Sequence, residues 1–482
     1  MDLLRVAPEA VPREAGAIDV ERVEVKAVLS AAAVVLACLS ASGQDSLRQL
    51  PSRAVLIVGG TLIDGTGAPP RRNEGILIER GRFRTVGSEA LRRIPRDART
   101  IEVADKWIVP GFIDGHVHFF QTGGLDARPD VVPHPAGTPY REVVGEIRRA
   151  PQKYLRSYVC SGITGVVDPG GPMWSFDLRD SREDDRLSPR MAVSGPLLAT
   201  YDPPPLELDD DDPIWLMKDE AQIGGLVDRL AAKRPDMVKI WFVSRRGDDL
   251  EKQAALVRAA IAAIHAKKLR AAVHATSLET ARIAVKAGAD ILVHSVGDRE
   301  VDDDFVTEVV QRKVIYVPTI IVGRSYREVR TRSVMIEPFE RDCAPGGTIE
   351  SFDALKDLSE TLLPRPQTPP PDTTAVLQRN LKRLADAGAV IAAGTDAGNT
   401  RTLHGPSLHR EFVLMAEAGM TPMQILVSAT SNGARLMGRD DVGRIADGLH
   451  ADFLILDANP LADIRNTRRI QAIFRGGSLY EK

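Results

Sequence analysis

Residues 107–118 read WIVPGFIDGHVH, a short apolar run that ends in two histidines one residue apart. On a strand, side chains at i and i+2 share a face, so His116 and His118 point the same way. Working outward, similar apolar runs closing on polar or glycine-rich text begin near 162 (GITGVVDPGG), 190 (RMAVSGPLLA), 236 (DMVKIWFV) and 270 (RAAVHAT). Three more begin near 290 (DILVHSV), 314 (VIYVPTIIV) and 389 (AVIAAGTDAG). Helical patterns separate most of them, among them 250–267 and 277–288, the latter opening on Ser277-x-x-Thr280 and closing at Gly288. Eight apolar strands alternating with helices predict an α/β chain, with a parallel sheet closed into a (β/α)8 TIM barrel over 109–437. An open doubly wound sheet is the alternative. No Gly-x-Gly-x-x-Gly follows the first strand, which argues against a dinucleotide site.

The flanks have a different texture. Residues 54–67 (AVLIVGGTLIDGTG), 75–87 (GILIERGRFRTVG) and 99–109 (RTIEVADKWIV) are short alternating runs broken by glycine pairs and Asp-Gly steps. The pattern returns only in 444–457 (RIADGLHADFLILD) and 470–477 (IQAIFRGG). Each piece is short for a core of its own. The expectation is one small β-sandwich assembled from both ends, 51–108 and 438–482. Residues 324–375 interrupt the barrel rhythm after the seventh strand and end in the proline-rich LLPRPQTPPPD, which predicts a stiff lid or pocket wall.

Residues 1–50 stand apart. The stretch 26–41, KAVLSAAAVVLACLSA, is one lysine followed by an apolar small-residue run too short to cross a bilayer, and 26–43 reads as a secretory signal. VLAC at 35–38 resembles a loose lipoprotein box, with Cys38 as the lipidated residue. The expectation is an exported protein, periplasmic or lipid-anchored; it is cytoplasmic if this segment is no signal.

The 482 residues carry 63 Lys and Arg against 66 Asp and Glu, so no basic excess points to nucleic acid. With 43% hydrophobic and 27% charged residues the chain is globular rather than disordered. Three cysteines, Cys38, Cys160 and Cys343, are too few and too scattered to predict a disulfide framework or a zinc knuckle. The expected partner is a small-molecule substrate; a homo-oligomer is expected without being derivable.

Four of the nine histidines fall at strand ends: His116, His118, His274 and His294. Imidazoles gathered at the mouth of a barrel suit a divalent metal. Lys239 is the only charge in the apolar run MVKIWFV, and burying an unpaired ammonium is costly, so it must be paired, neutralised or modified. Desolvation makes a lysine amine nucleophilic, able to capture carbon dioxide as a carbamate that can bridge two metal ions. Asp396 in AAGTDAG ends the last strand, where a carboxylate can serve as general base and then acid. Arg245 and Arg246 follow the fourth strand as candidates to clamp a substrate carboxylate, and His404 is a further candidate at the pocket.

GFIDGHVH, VKIW, VHATSLETARIAVKAGADILVHSV and IAAGTDAG, in that order, resemble the amidohydrolase superfamily. The likeness runs from about 54 to 477 and is nearest to the imidazolonepropionase-related and prolidase-like branch. It implies that His116 and His118 hold one metal with Asp396, and that a carboxylated Lys239 bridges to a second metal held by His274 and His294. Two divalent ions, zinc foremost, and a bridging hydroxide are implied, with Asp396 shuttling the proton to the leaving nitrogen. The activity so implied is hydrolysis of an amide, a cyclic amide or a dipeptide-like bond. The alternatives are a mononuclear deaminase, a ring-opening imidazolonepropionase-like enzyme, a lactone or ester hydrolase, and a non-catalytic binding protein. Imidazolonepropionases resemble the mononuclear branch, which lacks the bridging lysine, and WFVSRRGD after Lys239 departs from the glycine-rich text of many dipeptidases.

Overall fold

The computed structural model describes residues 46–48 and 54–481, apart from 93, 133–137, 209 and 365–371. The signal-like segment 26–43 with Cys38, and most of the proline-rich stretch, lie outside the described residues.

The quoted run 107–118 divides between two sheets. Trp107–Pro110 pairs antiparallel with Phe453–Leu456, whereas Phe112–Asp114 pairs parallel with Ile163–Asp168. The break falls at Gly111, where any Cβ would sit 2.2 Å from the Thr164 hydroxyl, so the chain can step between sheets only on a glycine. The central strands are all parallel. Phe112–Asp114, Ile163–Asp168 and Arg190–Val193 form one sheet, and seven strands from Leu197–Ala199 to Val390–Ile391 form another.

Hydrogen bonds join the two sheets at both edges. Asp236 donates its backbone N–H to Val193 on one side; Gly115 donates to Ala393 and Asp396 to His116 on the other. Strands such as Ile163–Asp168 and Ile315–Val317 are buried along their whole length, as parallel strands covered by helices must be. The helices take their predicted ends. Leu278–Ala287 opens on a capping box between Ser277 and Thr280 and stops at Gly288, whose φ of 101° is left-handed.

Of two largely antiparallel sheets, the seven-stranded one draws on both ends of the described chain, and the four-stranded one on residues 55–102 alone. Their facing residues share one apolar cluster containing Val55, Ile57, Phe83, Phe453 and Phe474, with the last two rings stacked 4.3 Å apart. The segment after Ile315–Val317 is an ordered outer layer, and its Tyr326 and Thr373 line the cavity described below. It forms the helices Ile320–Arg330 and Pro338–Cys343, and its own cluster packs Phe352, Leu355 and Leu358 against Leu125 and Leu403. The layer thereby braces the loops that follow the first and last central strands.

One expectation is corrected here. Cys160 and Cys343, 183 residues apart, form a disulfide that ties Gln152–Cys160 to Pro338–Cys343. Scatter along the chain hid a pair that packing brings together.

Candidate metal centre

Asp114, His116 and His118 follow one another at alternate positions from the end of the first central strand. Asp114 accepts hydrogen bonds from the backbone N–H groups of His116 (3.3 Å) and Thr395 (3.0 Å), and from the Thr395 hydroxyl (2.7 Å). One buried carboxyl thus ties the histidine strand to the turn bearing Asp396. Burial pushes that carboxyl up to about 7, against the pull of its donors. Asp396 itself is held at φ 62°, and His294 and Thr319 are also left-handed, at 73° and 46°. Left-handed non-glycine residues are costly, and three of the eleven among the described residues lie at the floor of this site.

Nε2 of His116 lies 3.2 Å from Nε2 of His118, and Asp396 Oδ1 lies 3.5 and 3.1 Å from the two nitrogens. The three ligand atoms fall within 4.8 Å of one another, all on buried side chains. Two imidazole nitrogens facing each other beside a carboxylate suit a shared cation, so the donor set fits a divalent metal. Nδ1 of His118 donates to the Gly170 carbonyl at 2.7 Å, which turns Nε2 toward His116 and Asp396. The ring of His294 lies 4.8 Å from that of His116 and 4.4 Å from that of His274, and Nδ1 of His294 meets the Thr319 hydroxyl at 2.7 Å. Lys239 completes the floor, 2% exposed on Val238–Trp241.

Three of the four imidazoles have the electrostatics of metal ligands. Burial, followed by the charge of Lys239, holds His116 well below its ordinary value, and burial lowers His274 and His294 in the same direction. These imidazoles are neutral, as ligands must be. Burial also lowers His118, but hydrogen bonds to Asp168 and Asp396 overcome it and raise the ring to about 9. Asp396 is held well below the carboxylate range because the histidines, His116 foremost, outweigh its burial. Burial lowers Lys239 to about 7, against the opposing charges of Asp396 and Asp168.

The floor opens into a cavity of about 460 Å³ lined by Lys239, His118, His274, His294 and Asp396, with walls that include Trp241, Arg128, Tyr326 and Asn399. The other three sequence candidates lie elsewhere. Arg245 is 55% exposed and lays its guanidinium over the Tyr201 ring at 3.8 Å, and Arg246 is exposed beside it. Neither borders the cavity, so the expected clamp is corrected: the strand's side chains enter the cavity through Trp241 and Val243, before the arginines are reached. His404 is buried behind the wall with both nitrogens occupied, by the Tyr158 hydroxyl at 2.8 Å and the Gln121 carbonyl at 2.7 Å. It braces the fold.

Sequence reasoning passed over Asp114, Thr319, Arg128 and Asn399. Asp114 carried a readable signal, a carboxylate in an apolar strand in phase with two histidines. The others sit on loops, where no period marks them.

The amidohydrolase family model matches residues 107–479, and the chain belongs to that family. It is 26% identical over 421 residues to the imidazolonepropionase of Salinispora arenicola (strain CNS-205), spanning 83% of this chain and 91% of that one. A solved Xaa-Pro dipeptidase with bound methionine superposes at a TM-score of 0.67 and 24% identity, covering 89% of this chain and 100% of the other. The ochratoxinase of A. niger superposes at 0.65 and 21% identity, covering 89% and 95%. The protein is accordingly a hydrolase acting on carbon–nitrogen bonds.

Proposed function

We propose that the protein hydrolyses an amide, a cyclic amide or a dipeptide-like bond with two divalent cations, zinc foremost, at the cavity floor. The observation that carries this reading is the convergence of four histidines, a buried lysine and a buried aspartate on one floor. The joined parallel strands are read as a closed (β/α)8 barrel, and the flanking sheets as one β-sandwich built from both ends.

His116, His118 and Asp396 would hold one cation, and His274 and His294 the other. Such cations, when bound, supply a nucleophilic oxygen at neutral pH and polarise the scissile carbonyl. The chain's own residues do the rest. Lys239 Nζ, brought down to about 7 by burial, is available as a neutral amine. It adds to carbon dioxide, forming an N–C bond and releasing one proton, so an anionic oxygen ligand replaces a buried ammonium. Asp396 takes the proton of the attacking water and returns it to the leaving nitrogen, which departs as a neutral amine.

A second reading, ring opening with one cation, is favoured by the likeness to the S. arenicola imidazolonepropionase. Lys239 opposes it. Elemental analysis of protein purified without chelators, with bicarbonate present, separates the two. Two equivalents per chain support the first reading, and one equivalent moves Lys239 to a structural role and supports the second.

We also infer export. The disulfide supports an oxidising compartment, because cytosolic thiols are kept reduced. The mass of the mature N-terminus tests it: a lipidated Cys38 or a cut near 41–43 upholds export, and an intact Met1 refutes it.

A further inference from the structure

The two edges of the four-stranded sheet are finished differently. Its strands lie in the order Arg82–Val86, Gly75–Glu79, Val55–Val58, Arg99–Glu102, so the first and last are edges. The chain itself closes the Arg82–Val86 edge: Phe83 donates its N–H to the Leu449 carbonyl at 2.9 Å and accepts from Gly448 at 2.7 Å. The Arg99–Glu102 edge is bare. It runs parallel to Val55–Val58 without a bulge, and Arg99 and Val103 donate their N–H groups to Ala54 and Val58, each at 2.9 Å. Backbone groups alternate sides along a strand, so Thr100 and Glu102 turn N–H and carbonyl away from the sheet. Both residues are exposed, and among the described residues nothing pairs with those groups.

Beside this edge the two sheets part. A cleft of about 440 Å³ is lined from one sheet by Ile101 and Val103, and from the other by Ile455, Ile470, Ala472 and Leu479. A bare edge next to an apolar cleft is a template for another strand.

The edge itself fits one such strand. Two copies of one edge related by a two-fold axis pair antiparallel, and outward groups must meet outward groups. Centred on Glu102, the pairing sets two carboxylates directly opposite each other, where like charges repel. Centred on Thr100, it sets Glu102 against Ala98, whose N–H is already spent on the Pro95 carbonyl at 3.0 Å. Centred on Ile101, Thr100 exchanges both backbone bonds with the partner's Glu102, and Glu102 does the same with the partner's Thr100. Every outward group is then satisfied. Each Glu102 carboxylate also stands beside a threonine hydroxyl that can donate to it. Ile101 meets the partner's Ile101 on the cleft side, and Arg99 faces Val103 rather than another charge.

We propose that the protein forms a two-fold dimer through this edge, with Arg99–Glu102 pairing with its own copy about Ile101. Two four-stranded sheets thereby become one. None of these residues lines the cavity above the metal centre, so the assembly is independent of the hydrolase reading.

The test uses the full chain carrying Cys38→Ser, which removes the one cysteine outside the disulfide. Sedimentation equilibrium at micromolar protein is expected to give twice the chain mass. Ile101→Lys, which sets two charges together at the axis, is expected to give the mass of one chain with an unchanged circular dichroism spectrum. A monomeric parent overturns the proposal, and so does a folded Ile101→Lys that remains a dimer. Ile101→Cys, oxidised in air with a copper–phenanthroline catalyst, reads the register. Facing Cα atoms at a non-hydrogen-bonded pair lie about 4.5 Å apart, within disulfide reach. A crosslink between chains, cleaved by dithiothreitol, is expected in Ile101→Cys and not in Thr100→Cys, whose copies stand two residues out of line. If Ile101→Lys does not fold, the crosslink decides alone: its absence in Ile101→Cys, or its appearance only in Thr100→Cys, overturns the pairing.

Discussion

The two halves of the cavity floor are built differently. In the half formed by His116, His118 and Asp396, the fold holds the backbone of His116 and Asp396 and the ring of His118: Asp114 grips three donors, Asp396 N–H bonds the His116 carbonyl at 2.7 Å, and Gly170 orients His118. The ligand atoms already lie within 4.8 Å of each other. In the half formed by Lys239, His274 and His294, Lys239 is held through its backbone N–H on Ser194 Oγ at 2.9 Å, and among the described residues only His294 has a hydrogen-bonded side chain, at the Thr319 hydroxyl. His274 makes no side-chain hydrogen bond among the described residues, and its ring meets those of Trp241 and His294. The first half is set by backbone geometry, whereas the second, on the proposed reading, depends on carbamate formation at Lys239. Cation affinity should therefore be unequal, with bicarbonate altering only the weaker equivalent.

The sharpest way to break this contrast is Lys239→Ala. We expect loss of one cation equivalent and at least a 10³-fold fall in kcat, read by elemental analysis and steady-state rates, since cation chemistry of this kind supplies several kcal/mol to the barrier. Full turnover without any added carboxylic acid would remove the lysine from the mechanism. A smaller effect is expected from Thr319→Val, which keeps the shape and deletes the hydroxyl that orients His294. Partners of this kind are worth about 10–100-fold in metal affinity. Competition titration with a chromogenic chelator should show that loss at the weaker equivalent alone, and equal losses at both would erase the distinction between the halves.

The smallest effect concerns what lies behind Thr319. Glu411, fully buried, accepts the backbone N–H groups of Ile320 and Ile321 at 2.9 and 2.7 Å. Burial raises its carboxyl from 4.5 to about 8 despite those donors. Between those values the native state holds a proton that the unfolded chain has released, so this group's contribution to stability falls as pH rises through the window. Glu411→Gln should flatten the decline of Tm between pH 5 and 8. An unchanged slope would show that Glu411 is ionised in the fold.

The same contrast explains what could be read from the sequence. The strand ends were legible because apolar runs have a period, and an ionisable residue that breaks one is conspicuous, as with His116, His118, Lys239, His274, His294 and Asp396. The wall was not. Arg128, Asn399 and Tyr326 lie in loop and helix text where charged and polar residues are ordinary, and their meaning comes from contacts across 271 and 73 residues of chain. Arg245 and Arg246 misled for the same reason, since adjacency to a strand end does not say which way a loop turns. The boundary at Gly111 was hidden too, because WIVP and FID are equally apolar and only a close approach to Thr164 separates them.

The disulfide divides the protein in a way the fold does not. Joining Cys160 to Cys343, 183 positions apart, makes the stretch between them a covalent macrocycle with two tails. Lys239, His274 and His294 ride on the ring, while His116 and Asp396 ride on opposite tails. The braced half of the floor is thus a clasp between two strands of linear polymer, and the other half belongs to a closed circle. A single cut beside the exposed Asp210 opens the circle without releasing a fragment, so all six groups stay on one molecule for as long as the sulfur bridge stands.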